Sequence, residues 1–449
     1  MTSPRLERAL ERAAALGVLA HAAFLPISMA GMQIGLAVAA GALLLLRLGG
    51  RRVWARSGLD LPCLLLPAAC VVSLATGALG GSPPVGLHEA TLWRSLLAAP
   101  VLLSAVEVTR GRPGAEDPGG PRRLALAALG VWAVAALVPS AIAWVQFRTG
   151  FDPLFALGLR REPVRAVVPI YPGRFAAVGF FRWYQRLAHN LTPPLCVAAA
   201  LALAPGLGAR RRALLGLAAL AAAAAVVLTL SRSSWAGLVA AGLLLALSGA
   251  VPRRRAVPLV LAGALAMALH PGVRTRLSHL RDPTINDDRK ALWSVCRAVV
   301  DDHPLGGVGF GNLPRRSRAY YERLAIPANY PWRGWCHDSF FTARAEGGPL
   351  LLAALTAFWA LLARAFLRLR REATSPAARL AATGALAALV AMLGNSLFHD
   401  LLYSSEAMFG LGFALGMAAA LARAPAAAAA AGAGDQAGCT RRRPPVSAA

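Results

Sequence analysis

RRRALLGLAALAAAAAVVLTLSRSSWAGLVAAGLLLALSGAVPRRR, residues 210–255, decides the fold of this chain. Two apolar runs, near 213–230 and 234–251, approach the roughly 20 helical residues that cross a bilayer core, and arginine triplets close both outer ends. Short cytoplasmic loops collect arginine, so both triplets belong on that side and the hairpin between the runs belongs on the other. Arg232, in Ser231-Arg232-Ser233-Ser234, has almost no loop around it. It therefore lies at membrane depth, where a guanidinium is costly and tends to mark function. The bland alternative is a side chain that snorkels to the interface and caps the hairpin. The neighbouring serines offer hydroxyls to cap the helix start or to face a phosphate.

Outward from this hairpin the alternation repeats. Further apolar runs lie near 14–30, 32–47, 61–79, 91–108, 123–147, 187–206, 256–270, 338–363, 380–398 and 402–422, which makes about twelve. With the N-terminus inside, the clusters Arg47 to Arg56, Arg110 to Arg123, Arg364 to Arg371 and Arg441 to Arg443 all fall on the cytoplasmic side. Composition agrees, since 57% of residues are apolar and only 15% charged. The formal net charge of +26 is spread over these short clusters rather than gathered on one patch, which argues against a nucleic-acid partner. The first run follows a basic segment as a signal peptide would, but a second run follows at once, so it reads as an uncleaved span. The alanine-rich residues 423–449 read as a disordered cytoplasmic tail. Six cysteines show neither metal-site nor framework spacing, and a single Cys296–Cys336 bridge is left open.

Two outer connections break the charge rule. Residues 148–186 hold Arg160, Arg161, Arg165, Arg174 and Arg182; residues 271–337 are richer still in arginine. Long loops translocate whatever their charge, so solvated surface is the plain reading, and a site that grips phosphate bidentately is the sharper one. In the second loop Leu292, Val295 and Val299 recur at helical spacing, which predicts an amphipathic helix lying across the membrane surface. Asp287-Asp288 and Asp301-Asp302 read as helix caps rather than metal ligands. The glycines from Gly306 to Gly311 lack the strand and helix of a nucleotide-binding loop and read as a turn. On an ideal helix, Arg344 and Gly348 share a face with His337, which puts base, cation and a bare spot together. Glu346 points the opposite way, in a structural role such as holding an arginine. An imidazole beside a cation suits a general base.

In their order and spacing these residues resemble the O-antigen ligase and polymerase superfamily, membrane glycosyltransferases that use lipid-linked glycans. The similarity runs from about Arg174 to Phe409. It is carried by Ser231-Arg232-Ser233; by Arg289, Trp293, His303-Pro304-Leu305, Gly307-Val308-Gly309 and Gly311-Asn312; and by His337-Asp338 with Glu346 and Gly348, similar to a His-Asn motif followed by Glu-x-Gly. Arg174 to Phe181 resembles the family's first outer loop. Asp338 stands where Asn is commoner, and Leu351 where a second Gly often follows; both departures bear on the acceptor more than on the reaction class.

The resemblance implies transfer of a glycan from an undecaprenyl-pyrophosphate carrier, at the periplasmic face of the bacterial inner membrane. The acceptor hydroxyl would belong to lipid A core, a polysaccharide or a protein, with membrane lipid as surroundings and neither metal nor cofactor required. His337 would be the catalytic base. Arg174, Arg232, Arg289 and Arg344 would bind pyrophosphate, with Glu346 and Gly348 in support. The expected fold is an all-α polytopic membrane protein of about 12 transmembrane helices with both termini cytoplasmic. Helices 1–5 fall in 1–147, a first periplasmic loop in 148–186, helices 6–9 in 187–270, a large helical catalytic loop in 271–337, and helices 10–12 in 338–422. A polymerase of the same superfamily is the nearest alternative. A flippase of lipid-linked glycan is the alternative from another class.

Overall fold

The computed structural model describes residues 3–111, 117, 119–167, 173–278, 287–327 and 334–423. These residues are overwhelmingly helical: α1 Pro4–Phe24, α2 Met29–Leu48, α3 Asp60–Leu79, α4 Leu87–Ala90, α5 Ala98–Glu107, α6 Gly120–Thr149, α7 Pro153–Ala156, α8 Tyr184–Ala202 and α9 Ala209–Leu228. They continue with α10 Arg232–Leu247, α11 Arg253–Leu269, α12 Pro271–Ser278, α13 Asp287–Asp302, α14 Leu313–Arg323, α15 Ser339–Glu372, α16 Pro376–Ser396 and α17 Ser405–Arg423. An isolated antiparallel bridge joins Ala166 to Phe175 in the connection between α7 and α8.

Each apolar run falls on a helix. Among the described residues eight helices are long and apolar enough to cross a membrane. The others fall short for physical reasons. α1 starts in charged turns, α8 carries His189, Asn190 and Thr192, and α10 has only 16 residues. α11 qualifies only when joined to α12, from which it is bent by 71°.

α17 runs through the middle of the bundle, with its residues Ser405 to Ala422 all buried. Small residues permit this. A Cβ on Gly410 would lie 2.8 Å from the Asn190 carbonyl oxygen, and one on Gly412 2.7 Å from the Ala98 Cβ, so α17 comes close to a neighbouring backbone at one glycine and to an alanine methyl at the other. On α2, α3 and α9, by contrast, Leu44, Leu64 and Leu220 stand exposed. That is a surface suited to lipid rather than water.

Two expectations are corrected here. Leu292, Val295 and Val299 do form one face of α13, but they are at most 1% exposed. They pack on Tyr321 of α14 and on a cluster of Val308, Leu313, Cys336 and Ala345. The apolar face is therefore covered by protein as the chain doubles back, not by the membrane surface. Asp301-Asp302 closes the C-terminal end of α13, where an acid cannot act as an N-cap, and Asp302 accepts instead from Arg323 at 2.9 Å.

Candidate functional site

The site is assembled at the start of α15. Asp338 is its N-cap, with Oδ1 accepting from the N–H groups of Phe340 (2.8 Å) and Phe341 (3.0 Å). Asp and Asn cap equally well, so this departure from the family pattern leaves the geometry intact. His337 stands outside the helix, with φ of 52°. The helical face that was to join it to Arg344 therefore does not extend to it, because the cap intervenes.

A left-handed non-glycine residue costs on the order of 1–3 kcal/mol and persists only where its surroundings impose it. Here they do. The His337 N–H donates to Asp400 Oδ2 at 2.9 Å, and Asp400 also accepts from the Thr342 hydroxyl. The Ser339 hydroxyl donates to the His399 carbonyl at 2.7 Å and accepts from the Leu401 N–H at 2.9 Å. On the other side Cys336 is bridged to Cys296 of α13, and the Trp293 indole donates to the Cys336 carbonyl at 3.0 Å. The bridge left open by the sequence is present. A crosslink spanning 40 residues stabilises by about 2–4 kcal/mol. Reduction should thus lower the unfolding temperature of the detergent-solubilised protein, and Cys296→Ser should show the lowered value with no further response to reductant.

Below His337 a break in α15 locks the loop that precedes α14. Gly348 has φ 63° and ψ −157°, and Pro349 offers Ala345 no N–H. The carbonyls of Ala345 and Glu346 accept instead from Val308 N–H (3.0 Å) and Gly309 N–H (2.7 Å). The Glu346 side chain, fully buried, accepts from Gly311 N–H (2.8 Å), Leu313 N–H (3.0 Å) and the Tyr403 hydroxyl. Its partners are backbone amides and a phenol rather than the arginine expected of it. Three donors make the burial of this carboxyl tolerable.

The arginines converge from three helices. Arg289 of α13 donates to the Phe398 carbonyl at 3.2 Å, and its guanidinium lies 5.4 Å from the Phe398 ring centre. Its charge acts on His337, His399, Asp338 and Asp400, and Arg232, Arg276 and Tyr184 lie within its electrostatic reach. Burial and the Arg232 charge weaken its hold on its proton. Arg276, in the last turn of α12, keeps Nε buried with no hydrogen-bond partner. Two carboxyls, Asp400 and Asp338, lie within electrostatic reach of Arg289, and burial pushes both up, Asp400 to about 6. Clustered like charges with so little compensation suit an anion. Burial, then Arg289, pushes His337 down to about 4, so the imidazole is neutral and able to take a proton.

A polar column ties the Arg232 hairpin to His337. The Ser234 hydroxyl donates to Asn395 Oδ1 at 3.1 Å and lies 3.0 Å from the Ser231 hydroxyl. Asn395 pairs with His189, whose ring is 4.9 Å from that of His399; His399 is 6.3 Å from His337, edge to face. Ser231 makes no side-chain cap bond, so the serines build this column rather than cap α10.

Of the four arginines singled out by sequence, Arg232 and Arg289 come together. Arg174 sits within electrostatic reach of His270, near the opposite end of α12 from Arg276. Arg344, half-buried in the second turn of α15, has Nη1 buried without a hydrogen-bond partner. Tyr184, Arg276, His399 and Asp400 were missed. A usable signal existed for His399-Asp400, two titratable residues in a short connection free of Arg and Lys; Arg276 had none.

No curated protein matches the chain. The family model described as O-antigen ligase matches residues 217–356, the stretch that contains Arg232, Arg276, Arg289, His337, Glu346 and Gly348. Over that stretch, 140 of its 449 residues, the chain is similar to the O-antigen ligase family.

Proposed function

We propose that the protein transfers a glycan from an undecaprenyl-pyrophosphate carrier to an acceptor hydroxyl of lipid A core, a polysaccharide or a protein, at the periplasmic face of the bacterial inner membrane. The observation that carries this reading is the convergence of Arg232, Arg276 and Arg289 beside a neutral His337. In the transfer, the acceptor oxygen bonds to the anomeric carbon as that carbon's bond to the pyrophosphate oxygen breaks. The electron pair leaves on the pyrophosphate, where the guanidiniums meet the growing charge; the hydroxyl proton goes to His337. Donor binding also prepares the base. An anion that offsets Arg289 removes part of what holds His337 low, so its basicity rises once the donor is seated.

The topology proposed with it is the twelve-helix one, with both termini cytoplasmic and loops 148–186 and 271–337 periplasmic. The Cys296–Cys336 bridge supports it, since such bonds persist in oxidising compartments. The arginine triplets that open α9 and α11 support it equally.

The test is substitution of Arg276. In purified protein Arg276→Ala should raise the KM for lipid-linked donor about tenfold or more, the worth of a hydrogen bond to a charged group. Arg276→Lys should recover only part of it, for an ammonium cannot reproduce a guanidinium's paired donors. Unchanged donor KM in both Arg276→Ala and Arg232→Ala would sink the pyrophosphate site.

A further inference from the structure

Arg276 is also one wall of a larger opening. A cleft of about 780 Å³ runs from it along the connection between α7 and α8, bordered by Arg161, Arg165, Arg182, Trp183 and Tyr184 and floored near Leu228 to Leu230. Its size is within the range that holds a small organic ligand. Its chemistry is lopsided. Arg161 and Arg182 are exposed, and the guanidiniums of Arg165 and Arg182 lie 5.7 and 5.6 Å from the centre of the Trp183 ring. The acid in the lining, Glu162, reaches Arg165 at 3.4 Å, an exposed pair of little strength. Arg160 is committed to the fold, bonding Asp152 at 2.7 Å and the carbonyls of Gly179 and Phe181 at 2.8 and 2.9 Å, so it shapes the cleft while the others face the opening. Arg276, whose buried Nε has no hydrogen-bond partner, is a further arginine in the lining.

We propose that this cleft binds an acidic saccharide, the portion of the lipid-linked glycan next to its pyrophosphate, by pairing carboxylate or phosphate groups with Arg161, Arg165 and Arg182. The proposal rests on the pyrophosphate reading above. With pyrophosphate at Arg232, Arg276 and Arg289, the attached sugars lead away past Arg276, and Leu230 joins the cleft floor directly to the Arg232 hairpin. Arginines in such number suit anionic sugars, because a guanidinium pairs with carboxylate or phosphate through two parallel hydrogen bonds.

The experiment uses the full-length protein in neutral detergent, with tetragalacturonide and its neutral galactose tetrasaccharide counterpart as probes and Trp fluorescence as readout. The acidic probe should bind at least about tenfold more tightly than the neutral one, and Arg161→Ser/Arg182→Ser should remove about that factor while the unfolding temperature stays put. In transfer assays the same double variant should raise KM for an acidic donor and leave that for a neutral donor unchanged. Equal binding of the two probes, or an undisturbed double variant, overturns the proposal. Displacement of the probe by phosphatidylglycerol vesicles marks a lipid-headgroup site and overturns it too, as does a KM effect confined to the acceptor. His337→Ala should bind the probe normally. If that variant still transferred glycan, the transfer reading would fail on its own, independently of the cleft.

Discussion

His337→Ala is expected to lower glycan turnover by about two to four orders of magnitude while leaving the protein folded in the membrane, the usual loss when a positioned general base is removed. The backbone bonds that hold residue 337 survive the change, since they use its own N–H and the flanking Cys336 and Ser339. The pH dependence should carry the same signature. A base works only when unprotonated, so activity is present above its pKa and lost as pH falls through it. With His337 pushed down to about 4 from its ordinary 6.5, the acid limb of kcat/KM, which reports the free enzyme, should lie well below 6.5. The limb of kcat should lie higher, since the bound donor offsets Arg289. Replacing Arg289 by Gln should raise the free-enzyme limb by removing the second cause of the shift. An acid limb at or above 6.5 in the free enzyme, or undiminished turnover in His337→Ala, would contradict the assigned role.

Gly348→Ala is expected to be the most destabilising single-methyl change near the site, by on the order of 3–5 kcal/mol. The added Cβ would sit 1.9 Å from the Leu305 carbonyl oxygen and 2.7 Å from its carbon, both backbone atoms that cannot swing aside. The φ of 63° with ψ of −157° adds strain, since that region is essentially closed to residues with a Cβ. Relief requires moving the Leu305 to Gly309 loop off α15, which breaks the bonds of Val308 and Gly309 to the α15 carbonyls and withdraws Gly311 from Glu346. Gly130→Ala in α6 is the control, since its new Cβ would meet nothing within 4 Å and alanine favours a helix. Unfolding measured in detergent should separate the two clearly; equal stability would mean that the close approach at Gly348 is not what anchors the loop.

The parts of the site that could be read from sequence were those whose evidence is local. Arg232 stood out because a guanidinium between two apolar runs has nowhere to go, and Gly348 because a residue without a side chain leaves a bare spot for close approach, which the Leu305 carbonyl fills. What could not be read came from tertiary convergence. Asp400 is 63 residues from His337, yet it receives the His337 N–H. Arg276 was one arginine among many until α12 turned 71° from α11. The ideal-helix argument for His337 and Arg344 failed because periodicity carries no mark of where the cap falls. The amphipathic pattern of α13 was correct, but a pattern of apolar residues does not say whether protein or lipid will cover it. The spans followed the same logic. Length and hydropathy found α2, α3 and α9 directly, whereas α8 is less apolar because His189 and Asn190 pack inside the bundle.

The most direct measurement is made on purified protein in proteoliposomes supplied with a lipid-linked glycan and an acceptor, counting undecaprenyl pyrophosphate released against glycan transferred. One carrier freed for each glycan joined to the acceptor, with both lost together in His337→Ala, is the predicted result. Movement of intact donor across the bilayer with no carrier released would contradict a transferase and make the arginine cluster part of a transport path.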